Sequence, residues 1–277
     1  MKTQGRSSRQ NPSGMPIAKY RHFLDVNPVS LPDRTWPDNR ILKAPRWLST
    51  DLRDGNQALI EPMDPARKKL MFELLIELGL KEIEIGFPAA SAADLEFCRS
   101  LVGEGLVPED VTISVLTQSR QEIIHKTVDA LEGLPRAVVH LYNATSPVFR
   151  RVVFHNTEAE TVDLARRGTG WVIRAIEEHL PDTPVGYEYS PEIFTQTPTD
   201  FAVEVCNAVA EVWQPDHNRE IIFNLPATVE RSTPNTYADQ IEYFCRNVKN
   251  REFVAVSLHP HNDREPLSPP RNWDRWP

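Results

Sequence analysis

Residues 64–86 read DPARKKLMFELLIELGLKEIEIG, which predicts one helix followed by one strand. Asp64 followed by Pro65 is typical of a helix start, because aspartate caps the first turn and proline fits its first position. Gly79 is suited to the helix end. The short apolar run at 82–86 predicts a strand. Four leucines recur at helical spacing and predict the apolar face of the helix: Leu70, Leu74, Leu75 and Leu78.

The same alternation repeats along the chain, with a strand about every 35 residues, the length of one strand-plus-helix unit. Seven apolar runs predict strands at 46–52, 82–86, 111–117, 137–142, 185–190, 220–224 and 253–259. Six helical stretches lie between them, including 121–131, 158–180, 200–213 and 235–248. We therefore predict an α/β fold of the TIM (β/α)8-barrel type, incomplete, with about seven parallel strands. An open doubly wound sheet is the alternative, but no glycine-rich phosphate-binding turn follows any predicted strand.

Local features add detail to the predicted helices. Ser119 and Thr199 are predicted N-caps of the helices that follow them. Gly168 and Gly170 lie inside the long helix at 158–180. They are predicted weak points, because glycine lowers the stability of a helix.

The composition excludes several classes of protein. Asp and Glu (39) outnumber Lys and Arg (31), and the net charge of −8 argues against nucleic acid or an anionic membrane surface as partner. No apolar run reaches the roughly 18 residues of a membrane span. The three cysteines, Cys98, Cys206 and Cys245, do not form a disulfide framework or a zinc knuckle. We expect a cytoplasmic protein.

Prolines, 24 in all, crowd the two ends of the chain and suggest its division. Residues 1–45 are predicted to form an irregular N-terminal arm, and residues 46–264 the incomplete barrel. Residues 265–277 contain four prolines and two tryptophans and do not resemble a barrel helix. Three aromatic residues are expected to pin the arm to the barrel: Tyr20, Phe23 and Trp36.

Polar residues follow five of the predicted strands. They lie at 51–57, 140–143, 187–192, 224–228 and 259–263. In barrels of parallel strands the reactive groups cluster at the carboxyl ends of the strands. The five stretches therefore predict one common site.

His259 and His261 are the most specific part of this set. Residues i and i+2 of an extended strand point to the same side, so both imidazoles can face one metal ion. Asp54, at the end of the first strand, is the natural carboxylate ligand, and this set suits Mn²⁺, Zn²⁺ or Fe²⁺. The alternative is that the His-x-His pattern lies at the surface by chance and has no function, as is true of most isolated His-x-His patterns.

Three further residues are candidates for chemistry. Arg53 can hold a substrate carboxylate and stabilise charge that develops on an enolate or alkoxide, or it forms a structural ion pair with Asp54. Glu192 is better placed than Glu188 to reach the site, although each alone is typical of a solvated loop acid. Thr228 either donates to a substrate carboxylate or starts a helix.

Four segments together resemble the 2-isopropylmalate synthase family in its long form: 52–59, 84–91, 189–192 and 257–263. The resemblance runs from about Pro16 to Arg264. It implies condensation of acetyl-CoA, as co-substrate, with 2-oxoisovalerate (3-methyl-2-oxobutanoate), followed by thioester hydrolysis. The products are 2-isopropylmalate and CoA, in the first step of leucine biosynthesis. The resemblance also implies a homodimer.

The resemblance implies a role for each candidate residue. It makes Asp54, His259 and His261 the ligands of a divalent ion such as Mg²⁺, Mn²⁺ or Zn²⁺. Arg53 and Glu192 become catalytic residues. The substrate-binding residues become Arg53, His140, Ser190 and Thr228.

The sequence departs from the family after Arg264, where the family has a glycine-rich helix start, an eighth strand and a C-terminal regulatory domain. We interpret residues 265–277 as out-of-frame translation, a hypothesis that the nucleotide sequence tests. The family's asparagine metal ligand would be lost with that part. We expect the chain as written to be unstable or inactive.

Related activities remain open. Homocitrate synthase, citramalate synthase and hydroxymethylglutaryl-CoA lyase share the Arg53–Asp54 pair and the His-x-His element. A different alternative is a non-catalytic fragment that only pairs with an intact partner through its open sheet edge.

Overall fold

A computed structural model describes residues 28–261, together with Gly14 and Pro16. Within them, strands alternate with six helices of two or more turns. The strands are β1 Leu48–Ser49, β2 Glu82–Gly86, β3 Thr112–Gln118, β4 Ala137–Ala144, β5 Val185–Glu192, β6 Ile221–Ala227 and β7 Val254–Pro260. The helices are α1 Pro65–Glu77, α2 Ala92–Gly103, α3 Gln121–Asp129, α4 Glu158–His179, α5 Thr199–Trp213 and α6 Pro234–Asn247.

The seven strands form one parallel sheet whose strand order follows the chain from β1 to β7. Each strand pairs in parallel with the next, and the longest ladder joins β4 to β5 from Ala137↔Val185 to Ala144↔Glu192. Helices between the strands cover the curled sheet, which is the architecture of the TIM-barrel type. The predicted α/β class, the parallel strands and the strand number are confirmed.

Strand β1 is shorter than its predicted extent of 46–52. It covers Leu48–Ser49 alone, because the chain enters one turn of π-helix at Asp51–Gly55. In this turn the carbonyl of Thr50 accepts hydrogen bonds from the backbone N–H groups of Arg53 and Gly55, both at 3.1 Å. The turn places two charged side chains, at 53 and 54, at the carboxyl end of the sheet.

The buried face of α1 differs from the prediction. Leu75 is buried, but Leu70, Leu74 and Leu78 are 68%, 47% and 69% exposed. The inner face instead consists of Lys68, Phe72 and Leu75, which follow helical spacing equally well. Lys68 can be buried because its ammonium donates to the Ile85 carbonyl (3.0 Å) and to Asp94 (2.5 Å).

Two predicted N-caps are wrong by one residue. Arg120 occupies the cap position of α3, and the Ser119 hydroxyl donates instead to the carbonyl of Leu164 at 3.2 Å. Pro198 occupies the cap position of α5, which puts Thr199 inside the helix. Neither helix start has a hydrogen bond from a side chain at the cap position, so a capping side chain does not mark where these two helices begin.

Gly168 in α4 is a packing position, contrary to the prediction of a weak point. A Cβ at this position would lie 2.2 Å from Ser119 Oγ and 2.9 Å from Leu141 Cδ2, whereas a Cβ at Gly170 would meet nothing within 4 Å. Gly168→Ala is therefore expected to lower the free energy of unfolding by about 1–3 kcal/mol. Gly170→Ala should raise it by roughly 0.5–1 kcal/mol. Urea unfolding of both variants checks this, and equal shifts would contradict it.

The described part of the N-terminal arm contacts α6. The Trp36 indole N–H and the Arg34 guanidinium both donate to Asp239, at 2.7–2.8 Å. The backbone N–H groups of Thr35 and Trp36 donate to the Glu242 carboxylate at 2.9 Å. Trp36 thus pins the arm as predicted.

The other predictions for the chain ends are untested. Tyr20, Phe23 and the tail at 265–277 lie outside the described residues. The boundaries 1–45, 46–264 and 265–277 stay predictions. Among the helices that the structure describes, none has the length and apolar character that a membrane span requires.

Candidate metal centre and active site

Most of the predicted site residues lie at or just beyond the carboxyl ends of the strands. Arg53 and Asp54 follow β1, His140 lies on β4, and Ser190 and Glu192 lie on β5. His259 lies near the end of β7, His261 directly follows it, and Thr228 directly follows β6. The polar stretches that are far apart in the sequence are therefore neighbours in the fold.

Asp54, His259 and His261 form a compact group. Their ligand atoms all lie within 4.8 Å of one another. Asp54 Oδ2 is 2.9 Å from His259 Nε2 and 3.8 Å from His261 Nε2. The two imidazole rings are stacked, with centroids 5.0 Å apart and planes 19° from parallel. A carboxylate and two imidazoles that converge in this way match the donors that a divalent ion prefers.

The electrostatics of the group favour an ionised carboxylate. The hydrogen bond from His259 and the charges of Arg53 and the two histidines lower the pKa of Asp54 to about 2, although burial opposes this. A carboxylate binds metal in its charged form. The chain therefore carries a group of side chains that can hold a divalent metal ion, and the identity of the ion stays a prediction.

Arg53 is fixed by two carboxylates. Its Nε donates to Glu84 at 2.5 Å and its Nη1 to Asp54 at 3.1 Å. The Arg53 side chain is 10% exposed and that of Glu84 is fully buried. The guanidinium is thus held in one orientation beside the candidate metal group.

His140 connects the Arg53–Glu84 ion pair to β5 and β6. Its Nδ1 is 2.7 Å from Glu84 and its Nε2 is 2.7 Å from the hydroxyl of Ser190. The Asn224 amide also donates to that hydroxyl, at 2.8 Å. Burial alone would lower the pKa of His140, but the carboxylates of Glu188 and Glu84 outweigh it and raise the pKa.

Glu188 adds a second buried acid behind His140. Its Oε2 is 3.9 Å from His140 Nδ1, and burial raises the pKa of its carboxyl. Its Oε1 is buried without a hydrogen-bond partner among the described residues, as are Ser114 Oγ and Asn224 Oδ1. Glu188 therefore lies inside the sheet, and the alternative of a solvated loop acid does not apply to it.

Glu192 is held by a strained turn at the end of β5. The next residue, Ile193, has φ +61° and ψ +42°, a left-handed conformation that costs a β-branched residue roughly 1–2 kcal/mol. Hydrogen bonds to the Ile193 carbonyl from Gln196 N–H and the Thr197 hydroxyl, both at 3.0 Å, hold this turn. The Glu192 carbonyl accepts the Thr145 N–H at 3.2 Å. The turn thus fixes the backbone position from which the Glu192 side chain extends.

The carboxyl of Glu192 is partly buried. Burial raises its pKa, and the nearby positive charges of Arg53 and His140 oppose this rise without cancelling it. The pKa of Glu192 is therefore shifted upward from its ordinary value, the direction that favours general acid–base chemistry near neutral pH. Thr228 is partly exposed one residue beyond β6, and its role stays a prediction.

The sequence and the fold agree with those of known proteins. The HMGL-like family model matches residues 44–265, which is most of the chain. The chain belongs to the HMGL-like family. A curated relative from Thermobifida fusca, described as 2-isopropylmalate synthase, is 60% identical over 257 residues, covering 92% of this chain and 45% of the relative. A relative of the same description from Clavibacter michiganensis is 55% identical over 257 residues, covering 93% and 44%.

A solved structure shares the HMGL-like fold. It is an HMG-CoA lyase from Acinetobacter baumannii in complex with coenzyme A and 3-methylmalate, with a TM-score of 0.52 and 16% identity. The match covers 78% of this chain and 66% of that structure. At this identity the likeness supports the fold alone. The chain spans about 45% of the length of the curated relatives above.

Glu84 is the charged residue of this HMGL-like site to which sequence analysis gave no role. The strand Glu82–Gly86 could have indicated Glu84, because isoleucines alternate there with polar or small residues, which puts Glu84 on the opposite face of a buried strand. A carboxylate on the inner face of a buried strand requires a partner there. Arg53 and His140 are those partners.

Proposed function

We propose that this chain belongs to an enzyme that condenses acetyl-CoA with 2-oxoisovalerate to give 2-isopropylmalate and CoA. The observation that carries the proposal is the convergence of Asp54, His259 and His261 beside Arg53, in a chain 60% identical to a protein described as 2-isopropylmalate synthase. The seven strands and the polar groups at their carboxyl ends support the same chemistry.

Asp54, His259 and His261 are the proposed holders of a divalent ion, Mg²⁺, Mn²⁺ or Zn²⁺. Their donor atoms already lie within 4.8 Å of one another, so small side-chain rotations suffice for binding. A bound ion would act as a Lewis acid on the keto and carboxylate oxygens of the oxo acid.

Arg53 is the proposed electrostatic catalyst. Glu84 and Asp54 fix its guanidinium, so little reorganisation is needed when negative charge develops on the oxo oxygen. His140 and Ser190 are proposed to line the pocket, since the 2.7 Å contact between them fixes both side chains. Thr228 is proposed to donate to the substrate carboxylate.

Glu192 is proposed to move protons. Burial raises the pKa of its carboxyl, so the protonated form can give a proton to a developing alkoxide, and the ionised form is a stronger base toward a carbon acid. Glu192 ends β5, the strand that also carries Ser190, and the charges of Arg53 and His140 oppose the rise in its pKa. Glu192→Gln should keep substrate binding and lose turnover.

We further propose a cytoplasmic location and a homodimeric state for the protein. The three cysteines are free, and Cys98 and Cys206 are buried, as expected in a reducing compartment. The exposed leucines of α1 (70, 74 and 78) offer an apolar surface for self-association. Light scattering across protein concentrations tests the oligomeric state.

The test of function compares three oxo acids in the presence of acetyl-CoA and Mn²⁺. Release of CoA and binding of the oxo acid are both measured, with 2-oxoisovalerate, pyruvate and 2-oxoglutarate. Binding and turnover should favour 2-oxoisovalerate, and Arg53→Lys should weaken both because lysine lacks the bidentate geometry. A preference for pyruvate or 2-oxoglutarate would instead indicate a citramalate or homocitrate synthase.

Two further outcomes would replace the proposal. Cleavage of HMG-CoA without condensation would indicate a lyase. Co-purification with an intact synthase, without binding of any oxo acid, would indicate a non-catalytic partner. The binding measurement keeps the test informative where release of CoA is slow.

A further inference from the structure

A second group of metal-ligating side chains lies on the outer surface of the barrel. His125 is on α3, and Glu178 and His179 end α4. One ligand atom from each residue lies within 4.8 Å of the other two. The group belongs to the helical layer, away from the strand ends that carry Asp54 and His259.

We propose that His125, Glu178 and His179 bind a divalent transition-metal ion of the Zn²⁺ type. Imidazole and carboxylate together are donors that suit zinc, copper and nickel and are poor donors for alkali ions. The two imidazoles come from different helices, so the ion would bridge α3 and α4.

The positions of the three side chains are close to those that an ion requires. Tetrahedral zinc with bonds of about 2.0–2.1 Å places its donors roughly 3.3 Å apart. His125 Nδ1 and Glu178 Oε2 are already 3.5 Å apart. The histidine ring centroids are 5.8 Å apart and the ring planes are nearly perpendicular, at 82°. The Glu178 side chain is 62% exposed, so it can rotate toward the ion.

Two neighbouring features favour a cation at this place. His125 Nε2 is buried and has no hydrogen-bond partner among the described residues, so Nδ1, which lies 3.5 Å from Glu178 Oε2, is the ring atom available to an ion. Asp129 Oδ1 is 3.8 Å from His179 Nδ1, while the other oxygen of the same carboxylate pairs with Arg99 at 2.9 Å. A carboxylate next to a ligating histidine also orients its ring.

Binding would stabilise the contact between the two helices. α3 and α4 already pack side by side, and α3 ends within one turn of His125. An ion held by residues of both helices binds the folded chain and not the unfolded one, so it raises the unfolding temperature.

The experiment measures bound Zn²⁺ per chain by equilibrium dialysis and elemental analysis. The variants are Asp54→Asn, His125→Gln, the double variant, and His155→Gln as a control on an exposed histidine elsewhere. We expect two ions in the wild type and the control, one in each single variant, and none in the double variant. If the Asp54 group binds no ion, the wild type binds one and His125→Gln binds none, which still supports the second site.

A thermal readout provides an independent check. Zn²⁺ should raise the unfolding temperature of Asp54→Asn and leave that of the double variant unchanged. The proposal is overturned if His125→Gln and Glu178→Gln bind as many Zn²⁺ ions, with the same affinity, as the wild type.

Discussion

Asp54→Asn is expected to lower the affinity of the chain for Mn²⁺ by at least about 100-fold. Loss of a residue that only orients a metal ligand lowers metal affinity by about 10–100-fold, and loss of a direct ligand should lower it further. Asparagine keeps the size of the side chain and removes its charge. Asp54 is also the carboxylate that lies nearest to both histidines, at 2.9 Å from His259 and 3.8 Å from His261. Any turnover of acetyl-CoA by the chain should fall with metal affinity.

Asp51→Asn is the matched control for this substitution. Asp51 lies in the same turn but is exposed and accepts a hydrogen bond from the Ser49 hydroxyl at 2.6 Å. Both variants are made in a His125→Gln background, so that the group on α3 and α4 does not contribute. Isothermal titration with Mn²⁺ gives the affinities. Equal affinities for the two variants would show that Asp54 is not a ligand.

The architecture and the metal group could be predicted from sequence because both depend on local patterns. A strand about every 35 residues defines a strand-plus-helix unit, and parallel strands bring their carboxyl ends to one edge. His259 and His261 share a side by the period of an extended strand. Their closeness to Asp54 then follows from the fold, although their role as ligands stays a prediction.

The buried charges could not be predicted in this way. On α1 the leucine stripe at 70, 74 and 78 is more apolar than the stripe that contains Lys68, yet the Lys68 stripe faces inward. The reason is tertiary, since Asp94 and the Ile85 carbonyl from other elements satisfy the Lys68 ammonium. A hydropathy pattern carries no information on such partners.

The shortness of β1 also has a tertiary cause. The residues at 46–52 are compatible with a strand, but the hydrogen bonds of the Thr50 carbonyl close a π-helical turn instead. That turn lets Arg53 reach the Glu84 carboxylate inside the sheet. Glu84 is 31 residues away from Arg53 in the sequence. The stability of the turn therefore depends on a contact between elements.

Glu84→Leu is expected to lower the free energy of unfolding by about 3–5 kcal/mol, because it removes the buried one of the two carboxylates that pair with Arg53. The side chains of Arg53, Glu84 and His140 are 10%, 0% and 3% exposed, so water cannot replace the lost carboxylate. Glu84→Gln keeps an acceptor for Arg53 and should cost about 1–3 kcal/mol. Urea unfolding at neutral pH measures both variants.

The exposed pair Arg46–Glu220 provides the control, because its atoms are 2.7 Å apart, against 2.5 Å for Arg53–Glu84, but its side chains are about half exposed. Glu220→Gln should cost no more than about 1 kcal/mol. Burial raises the pKa of Glu84, but Arg53 and His140 outweigh it and lower the pKa from 4.5 to about 2. The stability that depends on this charge is therefore complete above pH 4.5 and is lost as the pH falls toward 2. The difference between wild type and Glu84→Gln should shrink over that range, and a difference independent of pH would show that packing, and not the charge of Glu84, holds Arg53.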